Sequence, residues 1–447
     1  MRPHKTPDGI PALRLGKLKA HFLSGDVGAV FRGMATLAFG NLLARMVGVI
    51  SLPILTRLYA PDDFGAMAVF NALILMLAPF MTLRYALAIP LPRHDGLALN
   101  LMALSAGILV VSGSILALIL AYFAEPLLAL LSMTVLAPWW WLIVLGLFGT
   151  SSYELLSLWA TRRRAYRAIA RTKLTQSLAG MAVKLGFGAA APGPLGLIMG
   201  QVVAYSGGIG ALLRQFSGEL SRNWRHVRWS RVRRVAARYR GFPIYRLPSQ
   251  LLLVFSQQAP LMFAATLFGS TTAGQLGLAL SALALPVSLL GGSVSNALYG
   301  EAASIGMREP ARLLRLVRTT QVRLFALALA PAIGLFFFGP MLFRLVFGSE
   351  WETAGHFASL LSVYLLFQFT SAPLMQMMNL LDAQEIFLVI NSLRAMLILM
   401  LMLTASYLGQ TPSHFVGTYS AAMALIYLGM SAWVIQRLSA RAQGSEK

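Results

Sequence analysis

Cysteine is absent from this chain of 447 residues, so disulfides, thiolate metal sites and cysteine nucleophiles are excluded. Charge is scarce as well: 12% of residues are Asp, Glu, Lys or Arg, about half the share in an ordinary soluble protein. Acids are the scarcer sign, 15 against 37 Lys and Arg. The six histidines, His4, His21, His94, His226, His356 and His414, stand apart, with no spacing that suits a metal site or an acid–base pair. No G-x-x-x-x-G-K-[ST] run occurs, so no phosphate loop for ATP hydrolysis is present. Long acidic tracts, Gln/Asn-rich tracts and collagen-like repeats are missing too, which removes the disordered and fibrous classes.

What the chain has is apolar length. Hydrophobic residues make up 57% of it, too much to be wrapped in water as one or two globular domains. The expected class is an all-α polytopic membrane protein. Twelve candidate helices run over 30–57, 64–90, 96–123, 136–160, 166–188, 194–214, 246–268, 272–299, 321–343, 356–380, 384–407 and 413–436, each near the ~20 residues that cross a hydrocarbon core. Pro61, Pro126, Pro192, Pro194, Gly269, Gly348 and Pro412 punctuate the gaps. Residues 1–29 lack a signal-peptide cleavage pattern and read as a basic tail.

Charge placement orients the spans. With the N-terminus in the cytoplasm, 31 of the 37 Lys and Arg fall on cytoplasmic segments. Only Arg57 and Arg344 fall outside, beside Asp62, Asp63, Glu125, Glu350 and Glu352. That asymmetry follows the positive-inside rule with both termini cytoplasmic. The expected parts are a tail at 1–29, an N-terminal six-helix bundle at 30–214, a basic cytoplasmic linker at 215–245, a C-terminal six-helix bundle at 246–436 and a tail at 437–447. The net charge of +22 therefore marks orientation, with no nucleic-acid partner. In the linker, Arg222, Arg225, Arg228, Arg231, Arg234 and Arg238 recur every three or four residues, with Trp224, Trp229 and Tyr239 between them. On one helix they would share a face lying along the inner leaflet and attracting anionic lipids.

An internal repeat supports two bundles. Tyr59-Ala-Pro-Asp-Asp-Phe-Gly65 and Phe268-Gly-Ser-Thr-Thr-Ala-Gly274 share the aromatic-to-glycine spacing at an offset of 209 residues, and each leads into a long apolar helix. Parallel repeats of this kind pack about an axis along the membrane normal, with substrate at their interface.

Four cations remain inside spans: Arg45, Arg84, Lys184 and Arg394. At 1.5 Å per residue, Arg45 lies ~20 Å into its span, and Lys184 and Arg394 ~16 Å past the inner ends of theirs, close to the midplane. Arg84 comes near the cytoplasmic interface. A lipid-facing cation at that depth costs at least ~2.5 kcal/mol. Asn41 precedes Arg45 by one turn, Asn391 precedes Arg394, and Lys173, Ser177 and Lys184 form one stripe. Acids able to neutralise them are few: Glu154, with Asp382 and Glu301 near inner ends. The surplus points to a cationic, water-filled cavity receiving an anionic substrate; the competing reading is permanent ion pairing between helices. Gln250 and Gln257, then Ser281, Ser288 and Ser295, then Tyr364, Gln368 and Ser371 form further polar stripes that suit either cavity lining or helix–helix contact.

The run Pro53-Ile-Leu-Thr-Arg57-Leu-Tyr59-Ala-Pro61-Asp-Asp-Phe64-Gly65, followed by Leu83-Arg84-Tyr85-Ala-Leu-Ala-Ile89-Pro-Leu, resembles the opening of the bacterial polysaccharide flippases of the Wzx type. These belong to the multidrug/oligosaccharidyl-lipid/polysaccharide exporter superfamily. The likeness continues through Arg162-Arg-Arg-Ala-Tyr-Arg-Ala-Ile-Ala170, Ser256-Gln-Gln-Ala-Pro260, Leu285-Pro286, and Phe347-Gly-Ser-Glu-Trp-Glu-Thr-Ala-Gly355 to Pro373 and Asn379. The resemblance implies two pseudo-symmetric six-helix bundles around a central cavity. It implies a non-enzymatic carrier in the bacterial inner membrane that moves a polyprenyl-diphosphate-linked oligosaccharide (an O-antigen, capsule or exopolysaccharide unit) from the cytoplasmic to the periplasmic leaflet. Membrane lipids, a glycan polymerase and a chain-length regulator are the implied partners. No cofactor is implied beyond H⁺ or Na⁺ coupling, for which Glu154 is the candidate. Arg45, Arg84, Lys184 and Arg394 are the expected headgroup-binding cations, with Asn41, Gln257, Gln368 and Asn391 as further cavity groups.

Two rivals make different demands. A multidrug cation exporter of the same superfamily needs acids in its cavity. A membrane glycan polymerase or ligase needs large extramembrane loops, and the outside loops here are short. The topology is directly measurable because the chain has no cysteine of its own. Ser349→Cys should react with an impermeant maleimide in intact cells, and Ser230→Cys only after the membrane is opened.

Overall fold

The computed structural model describes residues 25–305, 309–375, 377–381 and 384–444. The basic tail expected at 1–29 falls almost wholly outside these, as does Asp382. Among the described residues the regular structure is helical: α1 (Gly25–Leu58), α2 (Pro61–Met81), α3 (Asp95–Ala129), α4 (Trp140–Arg162), α5 (Tyr166–Ala190), α6 (Pro194–Ser206), α7 (Ile209–Trp224), α8 (Trp229–Arg238), α9 (Leu247–Phe268), α10 (Ser270–Ile305), α11 (Pro310–Phe347), α12 (Glu352–Met375), α13 (Met377–Leu380), α14 (Gln384–Tyr407) and α15 (Pro412–Gly444). Ten segments are long and apolar enough to cross a membrane. The long helices α5 and α10 occupy the remaining two expected positions, richer in charged residues in α5 and in small and hydroxylated ones in α10. The protein is thus an all-α, multi-pass membrane protein. The membrane-facing surface is plain on α11, where Phe336, Phe337, Phe338, Met341 and Leu345 are all exposed, an apolar band that water would not tolerate.

Several boundaries depart from expectation: α3 runs on to Ala129, α6 stops at Ser206 and α11 begins at Pro310 rather than near 321. The second span ends at Met81 rather than near 90, because Leu83 and Arg84 turn into left-handed backbone before a 3-10 turn at Tyr85–Ala88. The last helix continues to Gly444, past the expected start of the tail. The linker is two helices, not one, so its arginines do not share a continuous face. The break has a visible cause: the Asn100 side chain on α3 donates to the His226 carbonyl (3.1 Å) and accepts from the Arg228 N–H (3.2 Å). One amide thereby satisfies both backbone groups that a continuous helix would have paired internally. Val232 and Val235 of α8 are buried, while Trp229 and Tyr245 beyond them are exposed.

Apart from α2, helices α1–α6 pack mainly on one another, and α9–α15 form a second such group. The two groups meet chiefly where α2 crosses α10, with α9 alongside. The repeat glycines make that crossing. A Cβ on Gly65 would collide with the Ser270 carbonyl, and a Cβ on Gly274 with the Pro61 carbonyl and the Gly65 amide. Each glycine faces the residue four positions before the other, the reciprocal contact expected about a two-fold axis. Asp62 adds a polar tie, accepting from Ser270 Oγ and from Thr271 Oγ1, the latter at 2.8 Å. Trp351 Nε1 donates to the Thr56 carbonyl at 3.0 Å, and its ring meets Phe64 edge-on at 4.9 Å. All these ties lie at the Pro61 end, opposite the linker, and hold that end shut. A larger side chain in the crossing should force it open. Gly274→Val is expected to abolish disulfide formation between Asp62→Cys and Ser270→Cys, and to lower the unfolding temperature in detergent, since such overpacking costs about 1–3 kcal/mol.

Candidate functional site

Between the two groups of helices lies a cavity of about 610 Å³, walled by Leu52, Phe64, Asn71, Gln257, Gln258, Ser281, Tyr364, Gln368 and apolar neighbours. Among the described residues, its polar wall groups are amides and hydroxyls and none of its lining side chains is charged. The expected Gln257 and Gln368 are there. Asn71 and Gln258 are there as well, and were not anticipated from sequence. Of the serine stripe, Ser281 lines the cavity and Ser295 is buried; the Ser288 side chain lies outside those described.

The expected cations stand behind or beside this wall rather than in it. Lys184 is half-buried between α5 and α6, and its ammonium donates to Gln201 Oε1 at 2.8 Å. Gly200 makes room for it: a Cβ there would overlap the lysine stem. Tyr59 fixes the same turn by donating to the Lys184 carbonyl at 2.5 Å. Burial first, and the nearby Asp63 second, raise the Tyr59 hydroxyl above its ordinary pKa, so it remains a neutral donor. The other members of the α5 stripe are spent on helix contacts. Ser177 donates to the Ala44 carbonyl at 2.7 Å, and the Lys173 ammonium sits 4.4 Å from the centre of the Tyr153 ring.

Arg394 occupies the corresponding place in the other bundle. Its offset from Lys184 is 210 residues, within one of the repeat offset. It is 7% exposed, and Asn391 one turn earlier is also buried. Three tyrosines surround it, with Tyr419 within hydrogen-bond reach and Tyr364 and Tyr427 beside it. The Tyr364 ring lies 5.9 Å from each of the other two. Arg394 Nε is buried, with no hydrogen-bond partner among the described residues. Tyr364 and Gln368 also line the cavity, and Gln368 Nε2 reaches the Tyr427 hydroxyl at 3.4 Å. Among the described residues neither Lys184 nor Arg394 forms an ion pair. Arg45 is exposed, two turns from Leu52 on the same face of α1, with the half-buried Asn41 one turn further toward the linker end. The three cations expected near the midplane therefore stand on separate helices and do not converge within the cavity.

A family comparison gives this arrangement its context. Residues 54–355 match the model of a family described as polysaccharide biosynthesis protein. The chain belongs to that family. Solved transporter structures share its fold. A variant of the Vibrio cholerae MATE transporter VcmN is similar with a TM-score of 0.54 at 15% identity, over 92% of this chain and 96% of that one. The eukaryotic MATE transporter AtDTX14 gives 0.57 at 15% identity, over 93% and 99%. An inward-facing MATE transporter gives 0.53 at 14% identity, over 91% and 96%. At such identities the likeness concerns fold alone. No curated protein sequence matches the chain.

In this polysaccharide-family chain, the fourth expected cation is differently engaged. Arg84 pairs with Glu154 at 3.0 Å, with side chains 13% and 26% exposed. Neither residue is among those lining the central cavity. The left-handed turn at Arg84 aims the guanidinium at α4, where a carboxylate in apolar surroundings needs a counter-charge. Glu154, expected as an ion-coupling acid, is thus held by Arg84. Two more arginines are bound up near the linker end: Arg162 and Arg163 grip Asp95 at 2.7 and 2.8 Å, and Arg163 reaches Glu219 at 2.9 Å. Tyr419 and Tyr427 escaped notice in the sequence, although their eight-residue spacing on α15 places them on one face. Breaking the Arg84 pair should cost stability: Glu154→Gln is expected to lose about 2 kcal/mol, less than a fully buried pair, read as a lower unfolding temperature in detergent. Arg84→Met with Glu154→Leu should recover most of the loss.

Proposed function

We propose that the protein is a flippase that carries a polyprenyl-diphosphate-linked oligosaccharide across the bacterial inner membrane, from the cytoplasmic to the periplasmic leaflet. The observation that carries this reading is the pairing of a neutral, hydrogen-bonding cavity with unpaired cations at equivalent places in both bundles. The cavity's amides and hydroxyls suit sugar hydroxyls, which offer and accept hydrogen bonds without charge. The cations set a positive potential that offsets the cost of drawing phosphate away from water. In the proposed orientation both termini and the linker are cytoplasmic, so the sealed Pro61 end is periplasmic and the cavity would load from the cytoplasm. Alternating access then requires the Gly65–Gly274 crossing to part while the linker end closes. No chemistry on the substrate is needed, so the protein acts as a carrier and not as an enzyme. Proton or sodium coupling fits such a cycle. Membrane lipids surround the carrier, and a glycan polymerase and chain-length regulator would take over its product. A multidrug cation exporter is disfavoured by a cavity wall without carboxylates among the described residues.

Charge reversal tests the reading. In a strain deleted for the protein, Arg45→Glu, Lys184→Glu and Arg394→Glu, each expressed at the wild-type level, are expected to cut surface glycan at least about tenfold, because each reversal turns an attractive potential at the cavity into a repulsive one. Normal glycan from all three would refute the role of the cations.

A further inference from the structure

The ammonium of Lys184 is tied to the cavity by a chain of hydrogen bonds that runs in one direction. Lys184 Nζ donates to Gln201 Oε1 at 2.8 Å. That leaves the Gln201 amide N–H₂ to donate, and Tyr205 stands one turn further along the same face of α6, beside that amide. The Tyr205 hydroxyl passes its own proton on, donating to Asn71 Oδ1 of α2 at 3.0 Å. Asn71 lines the cavity. With its carbonyl oxygen taken by Tyr205, the group it has left for the cavity is its N–H₂, a double donor.

We propose that Asn71 is an anion-contacting residue of the cavity, polarised by Lys184 through Gln201 and Tyr205. Chains of hydrogen bonds polarise one another in a low-dielectric setting, so the lysine's charge strengthens the donors at the far end. The ligand class is a phosphate or diphosphate group, whose oxygens accept only. Gln201 and Tyr205 are positioning residues. This design explains why, among the described residues, the wall carries no charge beside a bundle that holds a cation without an ion-pair partner: a bare ammonium in the cavity would bind phosphate tightly and release it slowly, whereas a polarised amide binds it more weakly. The inference deepens the proposed flippase function and rests on it for the identity of the natural ligand.

Purified full-length protein in detergent, titrated with geranylgeranyl diphosphate, inorganic pyrophosphate and geranylgeraniol, tests it. The wild type is expected to bind the prenyl diphosphate more tightly than the alcohol. Asn71→Leu and Asn71→Asp should each lose about tenfold for the diphosphate, the worth of one charge-assisted hydrogen bond, and nothing for the alcohol. Tyr205→Phe and Gln201→Leu, which touch no ligand, should lose a comparable factor. Lys184→Met combined with Tyr205→Phe should lose no more than the larger single loss, because a severed relay has nothing further to transmit. Unfolding temperatures identify variants that are misfolded, and Asn71→Ser, which returns a donor, should restore part of the binding. Pyrophosphate bound as well as the prenyl diphosphate would still support the relay, with the phosphates alone as the recognised group. Additive losses at Lys184 and Tyr205, or unchanged binding in folded Asn71→Leu, overturn the relay while leaving the flippase reading intact if Lys184→Glu and Arg394→Glu still reduce binding. A wild type that binds none of the three probes overturns both.

Discussion

Positive charge without a carboxylate, held inside a low-dielectric helical bundle, is the constraint on which the site depends. An isolated ammonium or guanidinium in such surroundings costs several kcal/mol unless something solvates it. The protein meets that cost in two ways. Arg84 is given Glu154, and Arg162 and Arg163 are given Asp95 and Glu219. Lys184 and Arg394 are given neutral dipoles instead: an amide for the lysine and three tyrosines for the arginine. A carboxylate would cancel the field that Lys184 and Arg394 project, whereas amides and phenols solvate the charge and leave the field in place. The distinction separates cations that hold the fold together from cations that can act on a ligand.

Close approach of the bundles makes the field useful. Gly65 and Gly274 let α2 and α10 cross backbone against backbone at one end, which sets the helices at an angle and leaves the 610 Å³ space further along. The same two helices furnish cavity wall, Phe64 and Asn71 from one and Ser281 from the other. Closure and cavity are thus consequences of a single crossing. Motion about that crossing would alter access without disturbing the packing inside either bundle, where glycines again permit tight contact between α5 and α6 at Gly180 and Gly200, and between α11 and α12 at Gly339 and Gly355.

Much of this was legible in the sequence because it is periodic or compositional. Membrane spans follow from apolar runs, and the repeat glycines and the near-equal offset of Lys184 and Arg394 follow from counting. Other features resisted for identifiable reasons. The linker's arginine spacing suggested one helix, but the backbone is captured at His226 and Arg228 by Asn100, more than 120 residues earlier. Arg84 could not be assigned to Glu154 from spacing alone, since the pairing depends on a left-handed turn after Met81. Tyr419 and Tyr427 read as ordinary aromatic residues of a membrane helix until Arg394 is placed beside them.

The sequence alone determined that the chain is a multi-span helical protein, which way its cationic ends are distributed, and that some cations must lie at depth with few acids to meet them. These follow from the price of charge and of unpaired backbone in hydrocarbon, which each segment meets within itself. Only the tertiary structure decided, among the described residues, which cations are neutralised and which are merely solvated, and that the cavity wall is neutral. Partnership across helices depends on rotation about each helix axis and on where kinks fall, and those are set by packing between segments distant in the chain.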